Sequence, residues 1–213
     1  MRKLILVSLT ILLLSACNVF VVHRTSYVQG YTEYGSAIVL EKAADGSINA
    51  SVRRNGRSAT INSSGADKDW FNALCNKYGD VSYPNKQGIG MYGQYAFIPQ
   101  CITPDLVSID VKANIDFDAD HPAGSSLADI MRIRLTSFYD FVRAGYKNED
   151  NGFKDRALSE LTSEDLMMLE FVENIFILSF NSSVLVPETP FMLTVSCQDA
   201  DGRHLSGSVM YQD

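Results

Sequence analysis

Twelve consecutive residues, Leu106 to Phe117, constrain the fold of this chain more than any other stretch. Val107, Ile109, Val111, Ala113, Ile115 and Phe117 fall on one side of a two-residue repeat, with Ser108, Asp110, Lys112, Asn114 and Asp116 on the other. Side chains of an extended strand point alternately to opposite faces, so this pattern predicts a strand with one face on a core and one in water. Other segments repeat the theme. Ala37–Leu40 and Ile48–Val52 flank the turn signal Asp45-Gly46, and Asn55-Gly56 is a second turn signal before Ser58–Ile61; together they read as a β-meander. Met131–Thr136 alternates and passes into a helical turn. Ile175–Phe180, Phe191–Val195 and Leu205–Tyr211 read as closing strands, the last two joined at Asp201-Gly202.

Helical spacing is rarer. Trp70, Phe71, Leu74, Cys75 and Tyr78 recur at helical intervals between Asp67 and Tyr78, with Ser63 or Ser64 to cap the start and Gly79 to end it. Thr162-Ser163-Glu164-Asp165 has an N-terminal capping pattern and predicts a short helix to about Leu169. Lys147–Arg156 reads as a polar loop. Strands dominate and turns come at short intervals, so the expected fold is mainly β: an antiparallel β-sandwich of immunoglobulin-like type with one or two short helices.

The chain starts differently. Met1-Arg2-Lys3 precedes an apolar run from Leu4 to Leu14, and small residues lead to Cys17. That run is shorter than the roughly 20 apolar residues a spanning helix needs and has the form of a signal peptide. Leu14-Ser15-Ala16-Cys17 resembles the lipobox of bacterial lipoproteins. The resemblance implies cleavage before Cys17, a diacylglycerol on its sulfur and an acylated amine, which together anchor stably where one chain would not. In the Gram-negative sorting scheme that this signal resembles, Asn18 implies transfer to the outer membrane. No acidic residue follows directly, which favours a periplasm-facing position over the cell surface. The expected organisation is a signal peptide over 1–16, a lipidated N-terminus and short tether over 17–35, and one β-rich domain over 36–213.

Of the 213 residues 46% are hydrophobic, enough for a core, and the formal charge is −7. That balance argues against nucleic acid or anionic lipid held by bulk charge. Beyond Cys17 stand Cys75, Cys101 and Cys197. They read as small buried hydrophobes, the alternative being a Cys75–Cys101 disulfide; none has the spacing of a redox or zinc motif.

Gly88-Ile89-Gly90-Met91-Tyr92-Gly93 fits the dinucleotide-binding letters. A strand should precede that motif and a helix follow it, whereas Pro84-Asn85 and the strand-like Gln94–Ile98 stand there. It reads as a Gly/Tyr loop, in which Tyr92 and Tyr95 are candidate ligand-binding residues, because tyrosine gives rigid amphipathic contact area. Asp116, Asp118 and Asp120 alternate like the opening of a calcium loop, but His121 and Leu127 stand where an EF-hand needs Gly and Glu. A looser calcium loop and a solvated strand end both remain open. His23, His121 and His204 have no recognisable spacing to a nucleophile, so no catalytic residue is assigned and no cofactor is expected.

The block SIDVKANIDFDADHPAGSSL ending at Leu127, Phe176–Asn181 and the closing hairpin are similar to small cell-envelope lipoproteins of Bacteroides type whose role is unassigned. The resemblance implies a β-sandwich and carries over no catalytic residue. The expectation is a lipid-anchored binding or scaffold module, not an enzyme, whose partners are the membrane and an envelope protein or glycan. The alternatives are a hydrolase built around His121 and the acidic strand end, and a purely structural envelope component.

Overall fold

A computed structural model describes residues 26–83, 99–147 and 152–211. Cys17, His23, the Gly88–Gly93 loop, Tyr92, Tyr95 and the expected strand Gln94–Ile98 lie outside them. The protein is mainly β. Among the described residues nine strands form one curled sheet: β1 (Gly30–Lys42), β2 (Ile48–Thr60), β3 (Gln100–Thr103), β4 (Leu106–Ala113), β5 (Met131–Thr136), β6 (Phe153–Ala157), β7 (Phe176–Phe180), β8 (Met192–Asp199) and β9 (His204–Met210). Their order is β4-β8-β9-β1-β2-β7-β5-β6, with β3 paired to β1 off that path.

β1 and β2 form a hairpin whose turn follows the sequence signal. Gly46 takes a φ of 82°, and the Asp45 carboxylate accepts the Ser47 amide at 2.9 Å and its hydroxyl at 2.6 Å. Asn55-Gly56 makes no second turn, contrary to expectation: β2 continues through it as an out-of-register bulge. Its glycine instead allows a close approach, because a Cβ at residue 56 would collide with the Glu33 side chain. The irregularities fall on both strands: Thr32 pairs with Ser58 and Tyr34 with Arg54, so Asn55, Gly56 and Arg57 stand out of register on β2, and a compensating bulge follows on β1. Tyr34 pairs with Arg54 and the next pair is Ile38 with Val52, so Gly35, Ser36 and Ala37 bulge out of register.

That bulge lets one strand serve both halves of the sheet. Gly30–Glu33 pairs in parallel with β3, while Ala37 meets Ser206 of β9. Gly207 makes the second contact feasible, since any Cβ there would run into the Ile38 carbonyl. On one side of β1 lies the wing β4-β8-β9; on the other lies β2-β7-β5-β6. Strands of both wings fill a single core: Val111 of β4, Val195 of β8 and Leu205 of β9 cluster with Ile48 of β2, Leu178 of β7 and Ile133 of β5. The sheet must curl for its two ends to bury apolar faces together.

The stretch Leu106–Phe117 forms β4 over its first eight residues, paired with β8; Val111 and Ala113 face the core as expected, but an irregularity between Leu106 and Ser108 buries Leu106 rather than Val107. The strand stops at Ala113, but Phe117 still reaches the core, stacked on Phe180 at 5.0 Å and edge-on to Phe191 at 5.8 Å. The closing hairpin β8–β9 and the passage from β5 into a short helix, α2 (Tyr139–Arg143), match the reading of the residues.

A second, smaller core lies under α1 (Gly65–Tyr78). The helix ends on Gly79 in the left-handed conformation, as expected, while Ser64 stands at its start without a side-chain cap. Phe71, Cys75 and Tyr78 pack with Tyr27, Val28, Tyr31, Cys101, Phe138, Phe141 and Met168. This core corrects the expected boundary at residue 36. Tyr27, Val28, Tyr31, Thr32 and Tyr34 are buried and β1 begins at Gly30, so the folded body extends back at least to Ser26.

Two further expectations need correction. The polar stretch Lys147–Arg156 contains edge strand β6, because Lys154 turns inward from it and finds carboxylates. The helix expected after Thr162 is a single 3-10 turn, Glu164–Leu166, because the Asp165 carboxylate folds back onto the Thr162 amide (2.9 Å) and hydroxyl (2.7 Å). Cys75, Cys101 and Cys197 are free and buried, so the Cys75–Cys101 disulfide is not formed. Burial pushes the Cys75 and Cys197 thiols up to about 12, and it raises Cys101 as well.

Candidate functional site

The strand end after β4 brings His121 together with two of the acidic residues around it. Asp118 Oδ1 accepts the backbone amides of Asp120 and His121 at 2.9 Å and faces His121 Nδ1 at 2.7 Å. Asp129 faces Nε2 at 3.0 Å. Asp118's hydrogen bond raises the imidazole pKa, burial works the other way, and Asp129 adds to the rise. Asp116 points elsewhere, accepting the Ala123 amide at 2.8 Å. The expected trio Asp116, Asp118 and Asp120 therefore does not converge. Among the described residues no three His, Cys, Asp or Glu side chains gather in a way that could hold a metal ion. With a carboxylate facing each ring nitrogen, His121 donates to both when protonated and so clamps the loop.

Three acids whose burial the sequence did not signal staple the structure, Asp80 and Asp105 at the second core and Asp165 beside β6. Asp80 accepts the amides of Tyr27 (2.7 Å) and Val28 (2.9 Å) and the Tyr146 hydroxyl (3.0 Å). Burial raises its pKa against the opposing pull of those amides. Asp105 accepts the Tyr78 hydroxyl at 2.8 Å, the Lys77 ammonium at 2.9 Å and the Met168 amide at 3.0 Å. The last bond holds a buried residue at the unusual φ of 51°. Asp165, beside Lys154 at 2.6 Å, also takes Arg156 at 3.1 Å, and Lys154 reaches Asp140 at 2.6 Å. Burial alone would raise the Asp165 carboxyl, but Lys154 and Thr162 outweigh it and hold it below its ordinary value. Each of these acids is surrounded by donors, those of Asp80 and Asp105 coming mostly from distant parts of the chain and those of Asp165 from residues 154–162, which suits stapling rather than proton transfer.

The β1 bulge opens a different kind of feature. Gly35, Ser36, Ala37 and Val39 form one side of a solvent-open cleft of about 370 Å3, and Arg53, Arg54 and Asn55 of β2 form the other. Arg54 lies over the Phe171 ring, 5.6 Å from its centroid, and stacking of this kind orients a guanidinium without using its N–H groups. Among the described residues, neither the Arg53 nor the Arg54 side chain has an acidic partner. Glu33, earlier on β1, accepts the Arg57 amide at 2.8 Å, and Asp67 pairs with the Arg57 guanidinium at 2.8 Å. Two smaller concavities lie beside α1 (about 310 Å3) and on the outer face of β5–β7 near the exposed Phe153 (about 150 Å3).

No described helix is long and apolar enough to cross a membrane. Compared with protein-family models, curated proteins and solved structures, the chain finds no match. The sequence could have pointed to the cleft only through Arg53-Arg54-Asn55-Gly56, a basic pair beside a turn signal, and the turn reading hid it.

Proposed function

We propose that this chain is a lipoprotein of the cell envelope, anchored through acyl chains on Cys17 to the outer membrane and facing the periplasm, where it acts as a non-catalytic binding or scaffold module for an envelope protein or glycan. Its two wings are read as the layers of an immunoglobulin-like β-sandwich, antiparallel except where β1 meets β3 and β9. The observation that carries the binding role is the contrast between saturated buried acids and the open, donor-rich cleft at the β1 bulge. Preorganised hydrogen-bond donors without internal acceptors suit recognition of an external acceptor. The leader and Cys17 support the location by their resemblance to lipoprotein signals.

Intact-mass analysis and membrane partitioning of the native protein and Cys17→Ala test this reading. An acyl mass on the native chain, and its loss together with membrane association in Cys17→Ala, is the expected result. An intact Met1 start in a soluble native protein would refute it.

A further inference from the structure

The β1 cleft has a size, a wall chemistry and a charge that narrow what it accepts, provided the chain is the binding module proposed above. We infer that it is a subsite for an acidic saccharide, one or two sugar rings bearing a carboxylate or phosphate that docks between Arg53 and Arg54.

Size comes first. A cleft of about 370 Å3 lies near the lower end of small-ligand pockets, roughly 300–1,000 Å3. It is short and framed by one bulge, so it suits a compact ring better than an extended peptide. Its walls are mixed: Ala37 and Val39 are exposed and offer a weakly apolar surface to ring C–H groups, while Ser36 and Asn55 present a hydroxyl and an amide. The charge is specific. Consecutive strand residues ordinarily face opposite ways, yet at the bulge Arg53 and Arg54 line the same cleft. Each guanidinium is a planar fork matched to a carboxylate or phosphate, and Arg54 is already held by its stack on Phe171. On a chain of formal charge −7, such a local basic site draws an anion that the rest of the surface repels.

Calorimetric titration of the intact, detergent-solubilised chain tests the inference with digalacturonate, glucose 1-phosphate, neutral digalactose and tetraglutamate as probes. Digalacturonate or glucose 1-phosphate should bind, the tighter of the two naming the anionic group. Digalactose should bind about ten-fold or more weakly, as loss of a charge-assisted fork contact requires. Arg53→Ala and Arg54→Ala should each weaken the anionic probe about ten-fold, and Arg54→Lys should fail to restore it because the fork is lost. Ala37→Tyr, which fills the cleft and leaves both arginines, should block binding. All three positions are exposed, so thermal midpoints of the four variants should match the unmodified chain. Absence of binding by both anionic probes, binding indifferent to the arginine variants, or tetraglutamate bound tighter than either sugar acid would overturn the inference. Digalactose bound as tightly as digalacturonate would also remove the cleft assignment but leave the binding-module reading standing. The mass and partition experiment decides that reading separately.

Discussion

The two cores of this protein are built on different principles. The large core between the wings is almost wholly aliphatic and aromatic, and β2, β5, β7 and β8 add side chains to it by simple alternation. The small core under α1 is crowded with tyrosines and cysteines, and buried Asp80 and Asp105 tie it together. The first is held by area removed from water, which is non-directional and tolerant. The second depends on directional bonds whose loss leaves buried donors unpaired, and those are unforgiving.

Trp70, the sole tryptophan, packs on the small core. Its fluorescence therefore reports that core, while far-UV dichroism reports mainly the sheet, and denaturant titrations read by both probes can separate the two regions. The largest effect should come from Phe176→Ala in the wing core, about 4 kcal/mol in global stability as expected for a fully buried aromatic, with both probes shifting together. Asp105→Ala should cost about 3 kcal/mol by orphaning the Tyr78 hydroxyl and the Met168 amide. It should move the tryptophan midpoint ahead of the dichroism midpoint. Coincident midpoints in that variant would show one cooperative unit and dissolve the distinction between the cores.

Acid titration sharpens the same contrast. The folded Asp165 carboxyl sits below its ordinary value of 3.8. Its stabilising effect is thus complete above that value and drains away as pH falls through the lower folded one. Asp165→Asn should flatten this acid limb of the stability profile, measured by urea midpoints across the range. A smaller effect of opposite sign is expected at Tyr31. Its buried hydroxyl has no hydrogen-bond partner among the described residues, so Tyr31→Phe should raise stability by about 1 kcal/mol. The smallest effect belongs to His121, whose folded pKa is raised above 6.5. Its contribution is complete below 6.5 and fades as pH climbs through the folded value. In Asp118→Asn this decline should shrink, which melting temperatures taken at rising pH from 6.5 upward can read out.

What the sequence revealed follows the same division. Alternation exposed β4, β5 and the final hairpin because their pattern is local, and helical spacing with Gly79 exposed α1. The small core stayed hidden. Its parts come from Tyr27, Cys101, Phe138 and Met168, which no short window brings together. A buried Asp105 or Lys154 looks in sequence like any surface charge until its partners are placed. Asn55-Gly56 misled for a physical reason: glycine serves tight turns and close approaches alike, and here it makes room for Glu33. The candidate cleft followed that error, since its arginines flank the turn that was never made.

The position of β1 also has a kinetic consequence. This strand, the first to be synthesised, holds the middle of the sheet, and its neighbour on one side is β9, the last. Neither β4 nor the far edge of β1 can complete its hydrogen bonds until the final hairpin arrives. Contacts so remote along the chain form slowly. The nascent polypeptide therefore spends its synthesis with adhesive strand edges open, and a chain truncated before β8 would be a template for aggregation rather than a smaller folded protein.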